Sequence, residues 1–360
     1  MSLESPPATS AALVANACPV PLVETERVLL GHGSGGQLSA ELLREVIVPA
    51  LGAAARDGAM EDGAVIHVDS HDLVMSTDSF VVNPRFFAGG DIGCLAVHGT
   101  VNDLAMMGAM PIALTLALVI EEGFPIEELR TICESVGRAA TAVGVPVVTG
   151  DTKVVGRGDA DGVFINTAGL GRRLPAARPS ATRATVGDVV LLSAPIGLHG
   201  TTIMSTRVGL GFESDIASDT QPLHRLVELM VGIAGDAIHV MRDPTRGGVA
   251  SALNEIAQTS RVQICLDEES IPIPPTVAAA CEILGLDPLH VANEGCLIAI
   301  VAPEIAGDLL AAMHQTPEGR EACAIGQVTD ADAIRVVMST LVGSRRIVDM
   351  LIGEQLPRIC

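Results

Sequence analysis

A chain of 360 residues with a formal net charge of −21 and 48% hydrophobic residues excludes several classes at once. Its acidity repels nucleic acid and anionic membranes, and six Phe with neither Trp nor Tyr leave almost no platform for base stacking. The length suits two domains whose cores are built from Val, Leu, Ile, Ala and Met.

Residues 1–27 are rich in Pro, Ala and Ser and read as a disordered leader. That leader lacks the basic start of a secretory signal, and no apolar run reaches the roughly 18 residues that a membrane span needs. The expected location is therefore the cytoplasm, with neither membrane nor nucleic acid as a partner.

The first unit spans 28–183. It opens on "GHGSGG" (31–36), where Gly33, Gly35 and Gly36 let backbone N–H groups turn toward an anion ahead of the helix-like run 36–51. The loop is neither a GxxxxGK[ST] nor a strict GxGxxG motif. Strand-like runs follow at "AVIHVD", "LVMSTDSFVV", "IALTLALVI", "VPVVTGD" and "VFINTAGLG", with helices at 93–109 and 125–144. In the second helix Ile126, Leu129, Ile132, Cys133 and Val136 recur at helical spacing, with Pro125 suited to the first turn and Gly144 to the stop.

Aspartates punctuate this unit: Asp78 in "STDSF", Asp91 in "GGDIG", Asp103 in "VNDLA" and Asp151 in "TGDTK". Each alone reads as a cap or turn residue. Four carboxylates converging from different elements are also what magnesium bound to nucleotide phosphates requires. Asp103 falls inside an apolar helix, where an unpaired carboxylate is costly. Beside Asp151 stands Lys153, the sole Lys among 22 basic residues. A compact ammonium retained where Arg serves everywhere else suggests acid–base or phosphate chemistry.

The stretch "RRLPAARPSATRA" (172–184) reads as a linker to a second unit, 184–342. There the strands are "DVVLLSA", "VQICLD", "CLIAIVA" and "CAIGQVTD", with helices near 222–234, 247–259, 275–284 and 303–314. "DPTRGG" (243–248) places Asp243 and Arg246 before a helix, as an anion-binding turn or as an ordinary helix start. Glu294, ahead of a buried-strand run, is a base facing a cleft or a turn residue. Strands alternating with helices in both units give an α/β (α+β) class.

The last stretch, 343–360, reads as a mobile tail ending in Cys360. The eight Cys form no CxxC pair and the nine His show no HxxxH or HExxH spacing, which argues against zinc and against a disulfide framework. No resolving Cys lies near residue 360, which weakens a redox role.

The motifs "HGSGG", "STDSFVVNPRFFAGGDIGCLAVHGTVNDLAMMGA", "TGDTKVV", "DPTRGG", "NEG" and "LPRIC" make residues 28–360 resemble the HypE family of hydrogenase maturation proteins. That family lies within the wider ATP-binding superfamily typified by aminoimidazole ribonucleotide synthetase. The resemblance implies a two-domain fold in which the N-terminal sheets pair in a homodimer, with nucleotide in a nearby cleft. It implies that a carbamoyltransferase loads the thiol of Cys360. ATP and Mg2+ then drive dehydration of the thiocarboxamide to a thiocyanate, and the cyano group passes to an iron-carrying scaffold. By resemblance Asp78, Asp103 and Asp151 hold metal and nucleotide, and Asp91 and Asp243 assist them. Lys153 and Glu294 sit near Cys360 for phosphoryl handling and proton transfer. The rivals are a selenophosphate synthetase-like or kinase-like enzyme of the same fold, and an ATP-binding scaffold that only presents its tail.

Overall fold

The computed structural model describes residues 28–33, 36–51, 61–207, 216–330, 333–351 and 358–360. The leader 1–27 and Gly35 lie outside the described residues. The N-terminal half begins with helices α1 (Gln37–Leu42) and α2 (Val48–Leu51), joined by a π-helical turn. Strands β1 (Ala64–Val68), β2 (His71–Phe80), β5 (Ala109–Glu121), β6 (Val147–Val155) and β7 (Val163–Arg173) form one sheet in the order β1-β2-β7-β5-β6. A small ribbon, β3 (Phe86–Phe87) with β4 (Gly90–Asp91), precedes helix α3 (Ile92–Met106). β6 pairs in parallel with β5 after helix α4 (Ile126–Val143), and the other pairs are antiparallel. The sheet is therefore mixed.

β7 buries every second residue, Val163, Ile165, Thr167, Gly169 and Gly171, as a strand with one covered face must. That face lies on α3, which is buried nearly all round. Asp91 caps α3: its Oδ1 accepts from Gly93 N (2.7 Å) and Cys94 N (3.0 Å). Pro125 takes the N-cap position of α4 rather than its first turn, and Gly144 stops the helix in the left-handed conformation, with φ 81°.

The C-terminal half comprises β8 (Val189–Leu192), α5 (Leu198–Arg207), α6 (His224–Ala234), β9 (Ile238–Arg242), α7 (Gly248–Ser260), β10 (Gln263–Asp267), α8 (Pro275–Leu284), β11 (Ile298–Val301), α9 (Pro303–Met313), β12 (Cys323–Thr329), β13 (Arg335–Ser339) and β14 (Arg345–Val348). Its seven strands run β14-β13-β10-β12-β8-β11-β9. Alternate residues of β8 and β11 feed two cores. Val190, Leu192, Ile298 and Ile300 pack with Val249, Leu253 and Ile256 of α7, whereas Leu191, Ala299 and Val301 pack with α6 and α9. Burial on both faces explains why these strands read as unbroken apolar runs. Ala105 and Met106 of α3 join the second core and tie the two halves together.

The mixed α/β class expected from the sequence holds. One boundary needs correction: four residues assigned to the tail, Arg345–Val348, pair antiparallel with β13, so the chain leaves the sheet after 348 rather than at 343.

Candidate functional site

The end of β2 receives the chain tip. Residues 358–360 run antiparallel beside 81–83: Val81 N donates to Cys360 O (3.0 Å) and Asn83 N to Arg358 O (3.2 Å). Arg358 Nε donates to Val81 O (3.0 Å), and its Nη1 pairs with Asp161. Arg207 donates to the carbonyls of Asn83 and Arg358, and His199 Nε2 donates to Ile359 O (2.7 Å). Ile359 is buried with Phe80, Val82 and Ile203. Arg358 is held at φ +52°, a conformation that a non-glycine residue adopts only when its surroundings impose it. These contacts bury Cys360 at the junction of the two halves, in a cluster with Phe80, Val82, Ile203 and Ala292.

Both halves bring charge to this junction. From the sheet, Ser76 Oγ donates to Asp103 Oδ2 (2.6 Å), and Asp78, two residues along the same face, lies 3.7 Å from Arg246 Nη2. From the C-terminal half come Asp243, Arg246 and Glu294. Burial, then the neighbouring Asp243, Asp78 and Asp62, push Asp103 well above the usual carboxylate range. Burial and Asp62 push Asp243 up to about 8. Burial, then Asp243 and Asp78, push Glu294 far up, against the opposing pull of Arg246. Arg246 is pushed up, by Cys360 first (through its thiolate form) and, against the cost of burial, by Asp78 and Glu294. Its side chain remains 44% accessible, so it lines a cleft rather than a core. Burial pushes the Cys360 thiol up to about 12, so the docked sulfur is a poor nucleophile at neutral pH.

Glu294 is fixed by its backbone and free at its carboxyl. The Asp219 carboxylate accepts from Glu294 N (3.1 Å) and Gly295 N (3.0 Å), and Asn102 Nδ2 donates to Glu294 O (3.3 Å). A Cβ on Gly295 would stand 1.8 Å from Asp219 O, so only glycine permits this clasp. Among the described residues Glu294 Oε1 is buried without a hydrogen-bond partner. A buried carboxyl with an unused oxygen and a raised affinity for protons suits a base beside the terminal sulfur.

The structure thus brings together Asp78, Asp103, Asp243, Glu294 and Cys360. It does not bring Asp151 or Lys153 to them within one chain. Asp78 faces Thr167, Thr167 faces Leu116, and Leu116 faces Gly150, so Gly150 shares the face of Asp78 while Asp151 and Lys153 point to the other. They also lie three strands away, about 14 Å at the usual strand spacing. Lys153 Nζ pairs with Asp151 (2.7 Å), and the two side chains are 69% and 62% exposed. Within one chain, therefore, Asp151 lies on the opposite face of the sheet from Asp78, and Lys153 lies apart from Cys360. Among the described residues no three His, Cys, Asp or Glu side chains converge on one ion. Asp78 and Asp103 still fit Mg2+, which commonly takes one or two carboxylates together with phosphate oxygens. Gly33 is exposed and Gly36 is the N-cap of α1. Gln37 N donates to Leu351 O (3.0 Å), which ties this loop to the segment leading to the tip.

The sequence missed Asp62, Asp219, His199, Arg207 and Asp161 as supports. A signal existed only for Asn102, a second polar residue beside Asp103 in an apolar helix.

Raised carboxyls give the ligand-free protein a pH signature. Asp243, Asp103 and Glu294 bind protons more tightly folded than unfolded, so the stability they confer is lost as pH rises toward their folded values. His98 and His199, lowered to about 4, act in the opposite sense, but only below the ordinary His value of 6.5. The melting temperature should therefore fall as pH rises from 6.5 to 8, as calorimetry of the ligand-free protein can check. A flat or rising profile would contradict this charge assignment.

Residues 60–173 and 185–339 match the family models "AIR synthase related protein, N-terminal domain" and "C-terminal domain". The chain is 54% identical over 333 residues to the carbamoyl dehydratase HypE of Bradyrhizobium diazoefficiens, covering 92% of this chain and 95% of that one. It resembles a crystal structure of HypE in complex with ATP at TM-score 0.78 and 45% identity, covering 93% of this chain and 100% of the other. A HypE–HypF complex matches at TM-score 0.79 and 45% identity, covering 85% and 100%.

Proposed function

Because the chain belongs to the HypE carbamoyl dehydratases, we propose that its own Cys360 thiol carries the group that this ATP-dependent hydrogenase maturation enzyme dehydrates. The observation that carries this reading is the seating of Cys360 beside Arg246, Glu294 and Asp78 in one cleft.

Loss of water from S–C(=O)–NH2 requires oxygen to leave as something better than oxide. Transfer of the γ-phosphoryl group to that oxygen makes it a phosphate ester. Two N–H protons then depart, one as the imidate forms and one as the C–O bond breaks, leaving S–C≡N and phosphate. Glu294 takes the proton on nitrogen. Arg246 faces the negative charge that develops on oxygen. Asp78 and Asp103 would hold Mg2+, which when bound would neutralise charge on the phosphates, and Asp243 and Asp91 would support the nucleotide region.

The docked thiol is shielded and poorly nucleophilic, so carbamoyl loading takes place with the tip withdrawn. The twelve residues beyond Val348 span about 40 Å when extended. That reach suits delivery by a carbamoyltransferase, for which the related HypE–HypF complex is a precedent, and discharge to an iron-carrying scaffold. A diffusible-substrate synthetase or kinase has no use for a socket that holds the chain's own tip, and neither does a passive scaffold.

The open face of the N-terminal sheet presents Met75, Val119 and Ile66 with large exposure, as well as Lys153 and Asp151. A homodimer formed across that face covers its apolar residues and lets each subunit lend Lys153 to its partner's cleft. The test is complementation. Lys153→Ala and Cys360→Ser chains should each be inactive alone, but co-refolded mixed dimers should regain up to about a quarter of wild-type turnover, because half the dimers are mixed and each has one complete site. No recovery in verified mixed dimers would place Lys153 outside the partner's site.

A further inference from the structure

The arginine-rich stretch 172–184 is not used by the dehydration chemistry. It carries Arg172, Arg173, Arg178 and Arg183 in a chain of net charge −21. Three of these four line a cavity of about 500 Å3 where the start of β2, the end of β7 and α6 meet. The tip socket lies at the other end of β2, about 30 Å away at the usual rise per residue.

The arginines are not equally satisfied. Arg183 pairs with Asp236 (3.0 Å), and Arg178 Nη1 donates to Ala177 O (2.6 Å). Arg173 points inward, its side chain only 11% exposed, and among the described residues its ion-pair contact is with Asp72 Oδ2 at 4.0 Å. The other oxygen of Asp72 is taken by His67 Nδ1 (2.6 Å). Among the described residues Arg173 Nε is buried with no acceptor. Arg178 and Arg183 add like-charge repulsion to the cost of its burial, which Asp72 and Glu61 only partly oppose. Asp72 and Glu228 are the acidic residues of the lining, and Glu61 stands behind it, occupied by Ser180 Oγ and Ala181 N. A buried guanidinium short of acceptors, beside a second arginine and an open volume, is a receptor for a planar or tetrahedral oxyanion.

We propose that this junction is a second anion site, separate from the catalytic cleft, that binds a phosphate-class oxyanion through Arg173 and Arg178. Such an oxyanion is available as free inorganic phosphate, which the dehydration itself releases, or as the phosphate of a nucleotide. The volume accommodates either.

The test uses the full chain with three probes, inorganic phosphate, pyrophosphate and AMP, against chloride at equal ionic strength. Arginine-specific modification read by peptide mass spectrometry locates the binding, and calorimetry measures it. Saturable protection of Arg173 and Arg178 is expected, by inorganic phosphate if the free ion is the ligand and most strongly by AMP if a nucleotide is. Arg173→Ala should weaken that binding about tenfold or more, and Arg178→Ala should weaken it less. Arg173→Lys, which retains charge but not the fork, should fall between wild type and Arg173→Ala and serves if the alanine variant does not fold. Basal ATP-dependent turnover should be unchanged. Protection no greater than that given by chloride, or equal affinity in wild type and the Arg173 and Arg178 variants, would overturn the assignment.

Discussion

Cys360→Ser should yield a folded protein that binds ATP and forms no thiocyanate. The substitution removes one sulfur from a tip held mainly by other atoms: the backbone bonds to Val81 and Asn83, the Arg358–Asp161 pair and the buried Ile359. Serine satisfies the same backbone geometry, so the tip still docks. Its hydroxyl cannot carry a thiocarboxamide, so the loss of product is total rather than partial. Nucleotide binding by calorimetry should match wild type, while mass spectrometry of the terminal peptide finds no modification. A thiocyanate recovered from this variant would remove Cys360 from the chemistry.

Glu294→Gln should separate loading from dehydration. Glutamine keeps the shape and leaves the backbone clasp by Asp219 and Asn102 in place. It cannot take a proton from nitrogen. Carbamoylation should proceed normally, and single-turnover dehydration should slow by about 10²–10⁴-fold, the usual contribution of a positioned base, with thiocarboxamide accumulating on the tip. Stability should move the other way. Glu294 is 3% exposed and its charged form is opposed by burial and by Asp243, Asp78 and Asp219, so a neutral isostere relieves the ligand-free protein as pH rises above the ordinary Glu value of 4.5. An unchanged single-turnover rate would dismiss Glu294 as the base. A loss of loading as well would make it a structural residue.

Sequence reasoning succeeded where one physical signal dominates. The alternation in β7 and the helical spacing and caps of α4 are local, and so is the apolar run of β11. The elements it missed have weak local signals. α5, "LHGTTIMSTR", combines a glycine with three threonines and has no apolar stripe, yet His199, Thr201 and Thr202 are buried by tertiary packing. β14, "RRIV", is an edge strand whose exposed arginines mimic a tail. The site was legible as a set of residue types, with Asp78, Asp103, Asp243, Glu294 and Cys360 all named, but their partition between faces was not. Whether Asp151 sides with Asp78 depends on register across three strand pairs, which no single stretch encodes. The same holds for the socket, where Asp161, His199, Arg207 and Arg358 meet from segments far apart in the chain.

Intact-mass and peptide-mass analysis of the full chain, first carbamoylated by its transferase and then given ATP and Mg2+, tests the central claim most directly. The peptide ending in Cys360 should gain one carbamoyl group and then, only with ATP and far more slowly in Glu294→Gln, lose the mass of one water. ATP consumption that leaves this peptide unchanged, or water lost from a separate small molecule, would contradict a thiol that serves as the enzyme's own carrier.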